Sequence, residues 1–169
     1  MSEKAIAAKT IQRMYKQLEK EPCSYFSCGL IDENNLFRWR VTIIGPEGTP
    51  FEGGMFPTEL DFPDDYPQNP PKMRFLCPMW HPNISDEDGT VCISILHKPG
   101  DDPYAYESAT ERWLPIHNVE SIVISVISML NDPNSESPLN VKANHDFLFD
   151  KTTYNKKVRR CTQQSIEYC

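Results

Sequence analysis

His81-Pro82-Asn83-Ile84-Ser85-Asp86-Glu87-Asp88-Gly89-Thr90-Val91-Cys92-Ile93-Ser94-Ile95-Leu96 divides the chain into two kinds of sequence. It puts Cys92 at the end of a polar turn, with an aliphatic run on its far side and an asparagine amide upstream. Buried neighbours on both sides of such a turn hold a cysteine at a surface groove, where its thiol can carry an acyl group. A nucleophilic thiol also needs a donor for the charge that develops on the attacked carbonyl. The side-chain NH₂ of Asn83 can be that donor. It can equally pin its own loop through backbone hydrogen bonds, and the two roles are compatible.

Upstream of this stretch the sequence has strand periodicity. In Phe37-Arg38-Trp39-Arg40-Val41-Thr42-Ile43 the apolar residues alternate, so one face is buried, and Gly45-Pro46 ends the run. Phe56, Leu60 and Phe62 alternate with Pro57, Glu59 and Asp61 in the next strand. Phe26 to Leu30 is expected to be the first strand, and Met73 with Phe75 a short fourth. Short sequential strands with tight connections predict an antiparallel meander. Ahead of them, Lys4 to Glu19 reads as a helix closed by Pro22, with Ala7, Ile11, Met14 and Leu18 on one face and Lys4, Lys9, Arg13 and Lys16 elsewhere. Four prolines between Pro63 and Pro71 forbid ladder pairing and fix an extended loop.

Downstream the period changes to helical. Val119, Ile122, Val123, Val126, Ile127 and Leu130 form a wide apolar stripe behind Asn118, a candidate N-cap, and Asp132-Pro133 ends it. This predicts a central buried helix. Ser137-Pro138 reads as an N-cap followed by proline at the first helical position, starting a short helix toward Phe149. Thr153 is expected to cap a last helix, with Tyr154, Val158, Cys161 and Tyr168 on one face. Helix, strands, then helices makes the chain α+β, with helices on one face and at the ends of an antiparallel sheet.

The 169 residues suffice for one domain, 1–169, and are too few for two ordinary ones. A net charge of −7 argues against non-specific nucleic-acid binding. The apolar run Ile122 to Leu130 is far too short to span a bilayer, so no membrane insertion is expected. The start, Met1-Ser2-Glu3-Lys4-Ala5-Ile6, has no apolar signal region. The six cysteines are therefore expected as free thiols in a reducing compartment, cytoplasmic or nuclear. Charge is uneven: seven acids face two bases between Asp86 and Arg112, in the same segment as Cys92.

Cys23, Cys28, Cys77, Cys161 and Cys169 read as inert core thiols. Cys23 and Cys28 lack a second pair for a zinc site, and His81, Cys92 and His97 match no common zinc spacing, so no metal is expected. His81, between Trp80 and Pro82, reads as a buried structural histidine rather than the base of a cysteine protease. No papain-type or caspase-type signature surrounds Cys92, Ser94 is not in a nucleophile elbow, and no glycine loop could cradle a phosphate. A thiol without a dedicated base suits thioester exchange, which starts from a good leaving group.

Taken together, His81-Pro82-Asn83 with Val91-Cys92-Ile93-Ser94-Ile95-Leu96 resembles the active-site signature of ubiquitin-conjugating enzymes. Tyr66-Pro67 with Pro70-Pro71-Lys72 and Trp113-Leu114-Pro115 resemble the family's two ligase-binding loops. Gly45-Pro46 with Phe51-Glu52-Gly53-Gly54 resembles its strand-two-to-three turn, and Asp132-Pro133-Asn134 with Ser137-Pro138 its crossover behind the active site. The insertion at about 98–111, with His97 before it and Glu111-Arg112-Trp113-Leu114-Pro115 after it, is similar to the acidic-loop subclass, closest to the G1 type.

The resemblance implies the ubiquitin-conjugating fold and a ubiquitin thioester on Cys92, loaded by the activating enzyme and passed, with a RING-type ligase, to lysine on substrate proteins or on ubiquitin chains. Asn83 would stabilise the oxyanion or the loop. His81 and Ser137 would support the site. His97, Asp101, Asp102 and Glu107 would orient the acceptor lysine. Lys4, Lys9, Arg13 and Lys16 would meet the activating enzyme and ligase, with Pro70, Pro71 and Pro115 in the ligase footprint. Ser27 would bind a second ubiquitin on the back of the sheet. The chain would act as a monomer and without a cofactor, ATP being used by the activating enzyme. Three departures stand out: one extra residue between Asn83 and Cys92, expected to bulge the turn; Ser137 in place of an aspartate; and Gln68 in place of an aromatic ligase contact. The alternatives are conjugation of a ubiquitin-like modifier and a non-catalytic binding module on the same fold.

Overall fold

The first helix, α1 (Glu3–Lys20), starts where Ser2 accepts a hydrogen bond from the Ala5 N–H at 3.2 Å. It buries Ala7 and Ile11, half-buries Met14 and Leu18, and leaves Lys4, Lys9, Arg13 and Lys16 exposed. The structure is a computed structural model that describes residues 1–98 and 112–169. Asp101, Asp102 and Glu107 lie outside the described residues.

Four strands follow: β1 (Phe26–Leu30), β2 (Arg38–Ile44), β3 (Met55–Asp61) and β4 (Lys72–Phe75). They pair antiparallel in sequence order, as a meander. The alternation in β2 sets which face is buried. Trp39, Val41 and Ile43 are fully buried opposite Leu60, Thr58 and Phe56 of β3. The Trp39 indole N–H donates to the Leu36 carbonyl at 2.9 Å, so the largest core side chain leaves no polar atom unpaired. On the other face Glu59 is buried between Arg38 and Arg74, at 2.6 and 2.8 Å. Burial raises its carboxyl pKa, but the bonds and charges of the two guanidinium groups outweigh this and hold it below its ordinary value.

The central helix α2 (Val119–Asn131) opens with a capping box between Asn118 and Ser121. Val119, Ile122, Val123, Val126, Met129 and Leu130 are buried under the sheet, and Ile127 is half-buried. Two helices complete the chain, α3 (Val141–Phe149) and α4 (Lys151–Ser165).

Two helix starts differ from the sequence expectation. The α3 cap is Asn140, whose side chain accepts from the Ala143 N–H at 3.0 Å, not Ser137. A distant carbonyl stands in for the Ser137 cap: Pro82 O accepts from the Leu139 and Asn140 N–H groups, the donors that a cap at Ser137 would have bonded. The α4 cap is Asp150, which accepts from both the N–H and the hydroxyl of Thr153; Thr153 sits inside the first turn. Tyr154, Val158 and Cys161 are buried on one face of α4 as expected. Tyr168 lies beyond that helix, in a one-turn 3₁₀ helix (Ile166–Tyr168), and is 45% exposed.

Asn140→Ala should lower the unfolding free energy by about 1 kcal/mol, whereas Ser137→Ala should change it by less than about 0.5 kcal/mol. Urea denaturation midpoints of the two variants check this ordering.

Candidate active site

His81 is the deepest polar side chain of the site, with 0% exposure. Its Nδ1 accepts from the Asn83 N–H at 2.9 Å, which leaves the proton on Nε2, 2.8 Å from the Met129 carbonyl near the end of α2. Burial pushes its pKa from 6.5 down to about 4, only partly opposed by the bond to Met129. The ring is therefore neutral at physiological pH and occupied at both nitrogens, the structural role its position in the sequence suggested.

Asn83 is 2% exposed and makes a reciprocal pair with one residue of the crossover. Its Nδ2 donates to Asn134 O and its Oδ1 accepts from Asn134 N–H, both at 2.9 Å. Its own carbonyl accepts from the Cys92 N–H at 2.9 Å. The backbone of the thiol is thus bonded directly to the residue that the clasp immobilises.

The extra residue does not disturb this arrangement. Ile84 and Val91 form a bridge, and Ser85 N–H donates to Thr90 O at 2.9 Å. The surplus is taken up at the exposed tip Asp86-Glu87-Asp88. There Ser85 Oγ accepts from the Glu87 and Asp88 N–H groups, and Asp88 accepts from Thr90 N–H. Hydrogen bonds from the Thr90 backbone and side chain, and then from the Ser85 side chain, lower the Asp88 carboxyl pKa. Gly89 closes the turn at φ +78°, and a Cβ there would stand 2.2 Å from Phe75 O. Phe75 N–H donates to Gly89 O and Val91 N–H to Met73 O, so the turn is docked on β4.

Cys92 itself is half-buried, and all six cysteines are free thiols. After it a one-turn 3₁₀ helix (Ser94–Leu96) buries Ile95, and the chain brings His97 Nε2 to 3.8 Å from Cys92 Sγ. Ser137 is exposed on the segment that runs from Asn134 to α3. The structure thus brings together His81, Asn83, Cys92 and His97, with Ser137 on the adjoining segment. Among the described residues no group of three or more His, Cys, Asp or Glu side chains could hold a metal ion.

The expected partner surfaces lie elsewhere on the molecule. Trp113, fully buried, donates its indole N–H to Pro67 O at 2.8 Å and ties the two proline loops together. A cleft of about 420 Å³ runs between them and α1, lined by Arg13, Met14, Leu18, Pro67 and Pro115. Pro115 is exposed, but Pro70 and Pro71 are buried. Their rings shape the loop from within, and a partner would meet exposed Gln68 instead. Ser27 is exposed on the open face of the sheet, paired with Thr42.

Sequence reasoning missed the groups that close the site: the backbone of Asn134 and the carbonyls of Met129 and Pro82. Every residue has such groups, so residue type carries no signal for them. Only the position of Asp132-Pro133-Asn134 behind the site pointed that way.

Comparison with known proteins agrees with this geometry. The family model described as "Ubiquitin-conjugating enzyme" matches residues 10–162. The chain is 53% identical over 161 residues to ubiquitin-conjugating enzyme E2 7 of Arabidopsis thaliana, covering 95% of this chain and 96% of that protein. It is 50% identical over 160 residues to ubiquitin-conjugating enzyme E2 G2 of Homo sapiens, covering 95% and 96%. The solved structure of human ubiquitin-conjugating enzyme E2 G1 superposes with a TM-score of 0.66 at 53% identity, over 75% of this chain and 96% of that one.

The buried histidine makes stability depend on pH with a definite sign. The folded state binds a proton at His81 more weakly than the unfolded state does, so the stabilisation is complete above about pH 6.5 and is lost as pH falls toward about 4. The size of this loss is on the order of 3 kcal/mol. Unfolding titrations between pH 7 and pH 4 should show that decline, and ¹⁵N NMR should find the His81 ring still neutral at pH 5.5.

Proposed function

The chain belongs to the ubiquitin-conjugating enzyme family, and we propose that Cys92 is the residue through which it carries ubiquitin. The chemistry is acyl transfer. Cys92 Sγ attacks the thioester carbonyl of ubiquitin on the activating enzyme, that enzyme's thiolate leaves, and a new thioester forms on Cys92. A lysine ε-amine then attacks the same carbonyl, and the tetrahedral intermediate expels the Cys92 thiolate to leave an isopeptide bond. The observation that carries this reading is the half-buried thiol whose N–H is bonded to the carbonyl of a clasped asparagine.

Asn83 acts in this scheme chiefly by position. One hydrogen of its Nδ2 is committed to Asn134, and the whole amide holds the wall against which the thioester lies. His97, at 3.8 Å from the thiol, lines the approach to it. Asp101, Asp102 and Glu107 of the insertion attract and orient the incoming ammonium. An acidic environment raises the pKa of that ammonium, so these acids place it rather than deprotonate it. We infer that ubiquitin itself is a frequent acceptor, giving chains.

As members of this family do, the protein works with ubiquitin, an activating enzyme and ligases. We assign the ligase to the RING type and its contact to the cleft between α1 and the loops at Pro67 and Pro115, with Lys4, Lys9, Arg13 and Lys16 serving the activating enzyme. Ser27 is the proposed contact for a second ubiquitin. Free thiols at all six cysteines suit a reducing cytoplasmic or nuclear compartment and a monomer. No helix among the described residues is long and apolar enough to cross a membrane.

Incubation with ubiquitin, activating enzyme and ATP, followed by gels with and without reductant, tests the assignment. Wild-type protein should give a reductant-sensitive adduct. Cys92→Ala should abolish it, and Cys92→Ser should give an adduct that resists thiols, an oxyester. A wild-type chain that forms no adduct would overturn the assignment. Asn83→Ala should charge nearly normally and discharge onto lysine more slowly, by up to about a hundredfold. An equal loss in both steps would show that the clasp serves folding alone.

A further inference from the structure

Helix α3 buries Ala143 and half-buries Phe147 on its inner side. Its outer side is not the polar surface that solvent-facing helices usually carry. Val141, Leu148 and Phe149 are 69%, 50% and 75% exposed. With His145, whose ring packs on Phe149 at 5.2 Å, they stand at positions i, i+4, i+7 and i+8, a single helical stripe. Leu139, just before the helix, is 45% exposed. The contrast with α1 is internal to the molecule: α1 turns Lys4, Lys9, Arg13 and Lys16 outward. A contiguous apolar face on a helix marks a surface that meets a partner.

The start of this face is bonded to the loop beside the thiol. The Leu139 and Asn140 N–H groups donate to Pro82 O at 2.8 and 2.9 Å, so the start of α3 is bonded to the loop that holds Asn83. Asn144 Nδ2 donates to Ser135 O, and Asn134 is the clasp partner of Asn83. One bonded segment thus runs from the neighbour of Cys92 to the apolar stripe. That segment exposes the acids Asp132 and Glu136, which suit an arriving ammonium. From Val141 to Phe149 the stripe runs about 12 Å along the helix, the reach of a folded protein surface rather than of a lone side chain.

We propose that the outer face of α3 is the docking surface for the acceptor in the second half-reaction, a folded protein that presents an apolar patch beside its target lysine, ubiquitin being the acceptor tested. The inference rests on Cys92 as the carrier. It adds a surface that acts only when the acceptor is a protein. Leu148 and Phe149 are anchors on the acceptor's side and take no part in thioester chemistry, so they affect acceptor binding and not loading.

The test separates docking from chemistry. Thioester is formed with lysine-free donor ubiquitin, the activating enzyme is quenched, and discharge is followed onto free lysine or onto lysine-bearing ubiquitin. For Leu148→Asp/Phe149→Asp the rate with free lysine should stay within twofold of wild type, while the rate with ubiquitin should fall about tenfold, through a raised KM for the acceptor. Leu148→Met/Phe149→Leu, which keeps the face apolar, should restore it. Equal rates of the Asp variant and wild type with ubiquitin would overturn the proposal. So would equal losses on both acceptors, which indicate damage to the fold. Failure of wild-type protein to form any thioester would overturn the assignment of Cys92 beneath it, and is seen before either acceptor is added.

Discussion

Two polar side chains, His81 and Asn83, are buried within two residues of each other, and the bonds that fix them beyond their own loop come from the end of α2 and from Asn134. His81 takes its partners from Asn83 and from the end of α2. Asn83 takes its partners from Asn134, beyond α2. Leaving any of these buried groups unpaired would cost about 1–3 kcal/mol, so the partners form together or not at all. The clasp thereby ties the turn before Cys92, the end of the central helix and the segment entering α3 into one unit. The thiol inherits its position from that unit through the Cys92 N–H bond to Asn83 O.

This arrangement suits the acyl transfer proposed for the half-buried Cys92. The wall upstream of the thiol is rigid and neutral, because burial keeps His81 uncharged. The side downstream is short 3₁₀ structure leading to His97. A thioester placed between them meets a fixed surface on one side and an approach path for the acceptor on the other. In the Ser85–Gly89 turn the exposed tip absorbs the extra length, while the bridge of Ile84 with Val91 keeps the two strands of the turn paired next to the thiol.

Much of the fold was legible in the sequence, for reasons that can be located. The period-2 pattern of Trp39, Val41 and Ile43 was readable because one face of β2 is wholly buried. The stripe of α2 was readable because Asn118 marks its start and Asp132-Pro133 its end. The start of α3 was misread because Ser137-Pro138 is a local signal, and the long-range acceptor Pro82 O takes the donors that a cap there would have bonded. Thr153 yielded to Asp150, two cap formers three residues apart, because Asp150 also ends α3 and so stands at the actual junction. The prolines between Pro63 and Pro71 predict an extended loop, but turns closed by Tyr66 N–H to Pro63 O and Gln68 N–H to Asp65 O fold it, and packing places Pro70 and Pro71 in the interior. At the site Cys92, Asn83 and His81 were recognisable as side chains. Their partners are main-chain groups, which no residue type announces.

The clasp of Asn83 with Asn134 holds the thiol in place. Residue-resolved amide hydrogen exchange tests it most directly, by following the Cys92 and Asn134 N–H groups in wild-type protein and in Asn83→Ala. Both amides should be strongly protected in the wild type and lose protection together in the variant, while Val41 and Ile43 in the sheet stay protected. A Cys92 amide that exchanges as fast as an open chain in the wild type, or that is unaffected by the substitution, would contradict it.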